Sequence, residues 1–293
     1  MVNEDPALVQ CAKTRRMKNS VYQFLFLAAT CIGVIVLGVL IIDIFRKGLG
    51  ALSWDFLTSF NSSHPGKAGL RGAIAGSIWI IGITVPLTFI VGVCSAIYLE
   101  EYAKKNWLTR MIQVNIANLA GVPSIVYGLL GLALFARGMG LGRSIIAAAL
   151  TLTLLVLPII IVASREALAS VPTSLRHASF ALGATRWQTV SRVVLPHAFP
   201  GILTGTILAL SQAIGETAPL LVVGAMAFVA FSPQDIFDIF TTIPIQIYNW
   251  TSLPKEEFQY LASAGIIVLL ALLLTMNAFA VFLRNKYQNR SQR

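Results

Sequence analysis

The apolar positions of this chain gather into long runs instead of alternating or recurring at every third or fourth residue. Six stretches are long enough to cross a bilayer: Val21 to Phe45, Gly72 to Tyr98, Ile112 to Ala136, Ser144 to Ser164, Gly201 to Phe231 and Tyr260 to Leu283. The first has no charge between Val21 and Ile42. At about 1.5 Å per residue that segment reaches ~33 Å, enough for a hydrocarbon core of ~30 Å. It exceeds the roughly 7–15 residues of a cleavable signal's apolar region, so it reads as a retained anchor. The pattern predicts an all-α, polytopic membrane protein with six transmembrane helices. Its expected parts are a tail over 1–20, a six-helix domain over 21–283 and a second tail over 284–293.

Prolines 86, 123, 158 and 219 fall inside four of the runs. Each removes a backbone hydrogen bond, which membrane helices tolerate where neighbours satisfy the freed groups. Kinked helices around a pathway and ordinary bundle packing both accommodate them. Between the runs, Leu52 to Leu57 and Ile236 to Trp250 mix aromatic, acidic and polar residues. They read as short interfacial helices or as docking points for an external partner.

Composition agrees with lipid as the solvent. The 293 residues are 56% hydrophobic and 12% charged, with mean hydropathy +0.77, whereas soluble domains are about 25% charged. The net charge of +10 does not point to nucleic acid, because Lys and Arg cluster in the short segments between runs. With the N-terminus inside, 15 of them fall on the inner side and 7 on the outer. This excess places both termini in the cytoplasm of a prokaryotic plasma membrane. Cys11, Cys31 and Cys94 have neither disulfide nor zinc-ligand spacing.

Two regions carry candidate chemistry. The first is the long inner segment 165–200. Leu175, Ala178, Ser179 and Leu182 recur at helical spacing, Gly183 suits a helix end with positive φ, and Thr185 with Gln188 has capping-box spacing. Trp187, Val190 and Val194 would share one face of a second helix, which Pro196 and Pro200 stop before the fifth run. Such a helix–Gly–helix unit needs a partner surface, or else lies on lipid headgroups through Arg176, Arg186 and Arg192. The second region is Glu216, at the centre of the fifth run. An ionised carboxylate there costs at least about 2.5–3.5 kcal/mol, so it faces a cavity or a partner charge, or is a packing residue. Gln212 and Thr217 add polar atoms nearby, while Gly215 and Pro219 loosen the helix.

The inner segment resembles the EAA loop of ABC-importer permeases, whose pattern is EAA-x3-G-x9-I-x-LP. His177, Ala178 and Ser179 stand at the triplet, followed in register by Gly183, Val193, Leu195 and Pro196. His177 replaces the family's Glu, and Ser179 its second Ala. The stretch from Ala213 to Leu221 (AIGETAPLL) is similar to the mid-membrane motif of phosphate-importer permeases of the PstA type. LSWDFLT at 52–58, IYLEEYA at 97–103 and LAGVPSIVYGLLG at 119–131 extend the resemblance. Many relatives carry Arg where Gln212 stands. The resemblance implies an ABC-importer type I permease fold in which segment 165–200 docks on an ATPase. It also implies a second, PstC-like permease, a PstB-like ATPase dimer that binds ATP and Mg, and an extracytoplasmic phosphate-binding protein. Glu216, Gln212 and Thr217 are then candidates for the substrate pathway, with Arg165 at its exit. The chain itself would bind no metal or cofactor.

No Walker A pattern, His/Cys cluster or Ser/His/Asp set occurs, so the chain is not expected to be an enzyme. The other readings are a permease for another solute (sulfate, molybdate or an amino acid), a secondary transporter, and a polytopic membrane enzyme.

Overall fold

The computed structural model describes residues 6–225 and 228–291, and the side chain of Cys11 lies outside the described set. The described residues form twelve α-helices: α1 Pro6–Gly48, α2 Trp54–Thr58, α3 Arg71–Ile97, α4 Trp107–Leu119, α5 Ser124–Gly131, α6 Ile145–Ala169, α7 Thr173–Ala181, α8 Arg186–Thr189, α9 Leu195–Gly215, α10 Ala218–Val223, α11 Ile243–Thr251 and α12 Glu256–Ser291. Three of them continue into π-helical turns: α3 through Tyr98–Tyr102, α5 through Leu132–Gly138 and α8 through Val190–Val194. Helix α1 passes unbroken through residues 20 and 21, where the tail was expected to give way to the first span.

Five helical stretches are long and apolar enough to cross a membrane, and a sixth is counted if α4 and α5 form one broken span. These two meet at 102°. Chain connectivity makes them a single crossing. Helix α6 starts at one end of the bundle, where Ile145 N–H donates to Asp238 O at 3.2 Å, and α4 starts beside the end of α3 at the other. The third run is therefore sharply bent, which takes the kinked alternative of the two that its Pro123 left open. Tyr127 Oη donates to Leu119 O at 2.8 Å, occupying a carbonyl freed at the break.

Of the four prolines inside runs, only two accompany a break. Pro123 caps α5 and Pro219 lies in the first turn of α10, positions where a missing N–H costs nothing. Pro86 and Pro158 sit inside unbroken α3 and α6. The fifth run also differs from expectation. It is helical only to Gly215, breaks at Glu216–Thr217 and resumes as the short α10. Pro196 and Pro200 do not end the preceding helix, because the π-turn carries helical structure continuously from Arg186 to Gly215.

Helix α6 is the axis of the bundle: 67% of its most apolar stretch is buried, against none of that of α1. Small residues let α9 approach it, with Gly201 against Ala167 and Gly205 against Ala163, the spacing by which membrane helices pack closely. Thr84 Oγ1 on α3 donates to Ala149 O on α6 at 3.2 Å. Ile80, Tyr127, Ile145, Leu152, Ala213, Leu220 and Ile245 pack into one core around this axis.

Helix α11 was read from the sequence as interfacial, yet it inserts into the bundle. Ile243, Ile245, Gln246 and Trp250 are buried, and Trp250 packs on Phe56 of α2 with ring centroids 5.8 Å apart. Trp54 of α2 and Tyr248 of α11 are exposed. Nearby, the Asp238 carboxylate accepts from the N–H groups of Asp235 (3.0 Å) and Gln234 (2.8 Å). Those two bonds, the Asp235 one foremost, hold its pKa below the usual carboxylate value.

Candidate functional site

The motif around Glu216 folds as a junction between two helices. Ala213 and Leu220, on either side, are buried in the core with Tyr127, so the break is fixed from both directions. Between them Gly215 is exposed and Glu216 and Thr217 are half-buried, while Gln212, just before Ala213, is exposed. The backbone leaves helical geometry at Glu216, with φ −70° and ψ 127°. The last carbonyls of α9 thus lose their helical partners and become acceptors beside the carboxylate. Thr217 Oγ1 lies 3.5 Å from Gly215 O. Among the described residues, no cation forms an ion pair with Glu216. Non-helical backbone at membrane depth persists where protein buries it or where it lines an aqueous cavity.

The second broken run packs directly on the first. A β-carbon at Gly128 would lie 2.7 Å from Pro219 Cα and 3.0 Å from Val222 Cβ, so only glycine admits this approach of α5 to α10. The motif at 119–131 and the motif at 213–221 are therefore one site, made of two interrupted spans. On the neighbouring helix, Asn277 Oδ1 of α12 lies 2.6 Å from Ser211 Oγ of α9. Sequence reading missed Asn277. The signal was an amide inside an otherwise apolar run, where it bonds a facing helix.

Segment 165–200 folds as the expected helix–Gly–helix unit. Gly183 has φ +80°, a conformation open to glycine at little cost. Thr185 and Gln188 form both bonds of a capping box, Gln188 N–H to Thr185 Oγ1 (3.3 Å) and Thr185 N–H to Gln188 Oε1 (2.8 Å). Ser179 Oγ and Thr189 Oγ1, 2.9 Å apart, tie α7 to α8. Trp187, Val190 and Val194, expected on one shared face, part company: Val190 and Val194 are buried and Trp187 is exposed. Trp187 on α8, Phe180 on α7 and Leu182 just after α7 are all exposed. Leu182 is 89% exposed and Trp187 65%, so the tip of the hairpin carries an uncovered apolar surface. His177 and Ala178 are exposed beside it and Ser179 is half-buried. Leu195 packs against Leu168, Val171 and Ile202, Val193 is half-buried, and Pro196 is exposed.

Arg165 does not join Glu216. Its Nε lies 3.6 Å from Glu100 Oε2, near the end of α6. Gly201 of α9 packs beside that level, and Glu216 is 15 positions further along, about 22 Å at helical rise. Arg176 and Arg186, read as lipid contacts, instead meet Glu101 at 2.8 Å and the Tyr102 ring at 5.2 Å; Arg192 remains exposed. The three partners are consecutive residues of the LEEY turn. The motif is plain in the sequence but its role is not, although two carboxylates closing an apolar run ahead of an arginine-rich segment were the available signal.

A bundle of bent and broken apolar helices long enough to cross a bilayer, with an amphipathic hairpin at one end, defines an all-α polytopic membrane protein. The chain belongs to the family of binding-protein-dependent transport system inner membrane components, whose profile it matches over residues 85–289. It is 35% identical to the probable ABC transporter permease protein YqgI of Bacillus subtilis, covering 88% of this chain and 91% of the relative. To the phosphate transport system permease protein PstA of Yersinia pestis it is 34% identical, covering 93% and 92%. Its fold matches a chain in the crystal structure of a bacterial alginate ABC transporter bound to its periplasmic protein. The TM-score there is 0.67 at 16% identity, covering 91% of this chain and 94% of the other.

Proposed function

We propose that this chain is the transmembrane permease subunit of an ATP-driven importer of inorganic phosphate, working beside a second, PstC-like permease. In this reading both termini face the cytoplasm, as the excess of Lys and Arg on that side requires. The α7–α8 hairpin docks in a cleft of a PstB-like ATPase dimer, which binds ATP and Mg. An extracytoplasmic phosphate-binding protein delivers substrate to the opposite end. ATPase closure moves the hairpin, and rigid-body rocking of the bundle exposes the mid-membrane junction alternately to the two sides. The observation that carries the reading is the uncovered apolar tip formed by Phe180, Leu182 and Trp187, for which a secondary transporter has no use. Relatives named as phosphate permeases support the substrate.

At the junction, Glu216 pairs with an arginine of the second permease, since Gln212 supplies only a neutral dipole. The carboxylate also accepts a hydrogen bond from protonated phosphate and repels sulfate, which has no proton to give near neutral pH. The test is ATP hydrolysis and uptake by the complex in proteoliposomes with its binding protein. Phosphate should stimulate both; stimulation by sulfate or molybdate alone assigns another solute, and uptake without ATP assigns a secondary transporter.

A further inference from the structure

The hairpin is covalently continuous with α6 and α9 but not with α3, which lies 75 residues away in sequence at the closest contact. Motion of a docked hairpin therefore reaches α6 and α9 through the chain and reaches α3 only through side chains. The π-turn closing α3 supplies them. Its consecutive residues Glu100, Glu101 and Tyr102 each take one arginine, from α6, α7 and α8 respectively. The widened turn fans successive side chains toward three different elements, as a π-bulge at a functional position does.

The middle contact is the stiff one. Arg176 Nε and Nη2 donate to Glu101 Oε1 at 3.2 and 2.8 Å. Nη1 donates to Val171 O at 2.6 Å, and Nη2 also donates to Leu168 O at 2.9 Å. The planar guanidinium is thus fixed from three directions, and it occupies carbonyls at the C-terminal end of α6, where a cation is favoured. Side-chain exposure of the pair is 17% and 11%, so solvent screens it little. The Lys47–Asp43 pair, at 47% and 54%, is the kind that contributes almost nothing. Apolar packing of Val93 and Ala96 on Leu168 and Val194 also joins α3 to the hairpin, but such contacts are non-directional and permit sliding.

We infer that the Glu101–Arg176 fork is the strut that makes α3 move with the docked hairpin, Glu101 and Arg176 acting as positioning residues for coupling and Glu100–Arg165 as a weaker brace. This rests on the hairpin being the ATPase-docking element. The experiment compares wild-type complex with Glu101→Gln and Arg176→Lys in proteoliposomes, reading phosphate moved per ATP hydrolysed. Each variant should lower that ratio about fivefold while ATP hydrolysis per assembled complex stays within about twofold. Glu100→Gln should lower it less. A merely structural pair would reduce the yield of assembled complex and leave the ratio of the surviving material unchanged, and that result overturns the inference. So does an unchanged ratio at full yield. A wild-type complex that moves phosphate without hydrolysing ATP instead overturns the docking assignment beneath it.

Discussion

At the hairpin end of the bundle Arg165, Arg176 and Arg186 each find an acidic or aromatic partner within this chain; at the mid-membrane junction Glu216 finds none among the described residues. The first region pairs three of its four arginines within the chain, leaving Arg192 exposed. The second has a firmly packed frame, with Ala213, Leu220 and Tyr127 in the core, around a carboxylate that meets no cation among the described residues. Keeping a carboxylate ionised at membrane depth is expensive. In the proposed importer the junction is finished from outside, by water, substrate or a second subunit, while the hairpin transmits force without deforming.

The largest expected effect breaks the junction side of this contrast. Glu216→Gln should lower phosphate uptake about thirtyfold, on the order of 2 kcal/mol, as for removing one member of a buried charged pair. Assembly should be unchanged, and the preference for phosphate over sulfate should weaken. Wild-type uptake and preference would remove Glu216 from the pathway.

On the hairpin side, Gly183→Val places a β-branched residue at φ +80°, a strain of about 1–3 kcal/mol. Nothing lies within 4 Å of the new β-carbon, so the cost is confined to the turn. Uptake should fall about tenfold, a size consistent with that strain, while co-purification with the ATPase persists; undiminished uptake would show that the bend is not needed. Gly128→Val sharpens the description of the frame. The clash with Pro219 should cost about 1–3 kcal/mol and appear as a lower thermal midpoint of the purified complex. Tyr127→Phe, which loses the bond to Leu119 O, should lower that midpoint less, for about 1 kcal/mol.

The smallest effect concerns the loop at the opposite end from the hairpin. Because the Asp238 pKa is lowered in the folded chain, its contribution is fully present above the ordinary carboxylate pKa of about 3.9. It is lost as pH falls through the lower folded value. The amides of Gln234 and Asp235 should lose protection from hydrogen exchange in that acidic window, and Asp238→Asn should abolish the pH dependence.

Much of this was legible in the residues. The six runs, Gly183 at the turn and the Thr185–Gln188 cap all depend on local hydrophobicity or backbone preference, which neighbouring residues settle among themselves. Glu216 was legible as a functional candidate because a charge in an apolar run is conspicuous, but its placement outside the helix was not. Pro86, Pro123, Pro158 and Pro219 look alike in one dimension, and whether a proline bends or breaks a span depends on what packs against it. Trp187, expected to share a face with Val190 and Val194, is exposed while those two are buried, because Val194 reaches the core shared with α3, α6 and α9 and residue 187 lies at the hairpin tip.

The sequence by itself thus determined that the chain spans a membrane several times, where the hairpin of segment 165–200 turns, and which carboxylate is costly. Only the tertiary structure decided that the spans at 107–138 and 195–223 break against each other, that Arg165 is tied to Glu100 and not to the pathway, and that one turn of α3 holds three arginines. Those outcomes rest on contacts between residues tens of positions apart, whose free energies depend on distance and burial rather than on residue type.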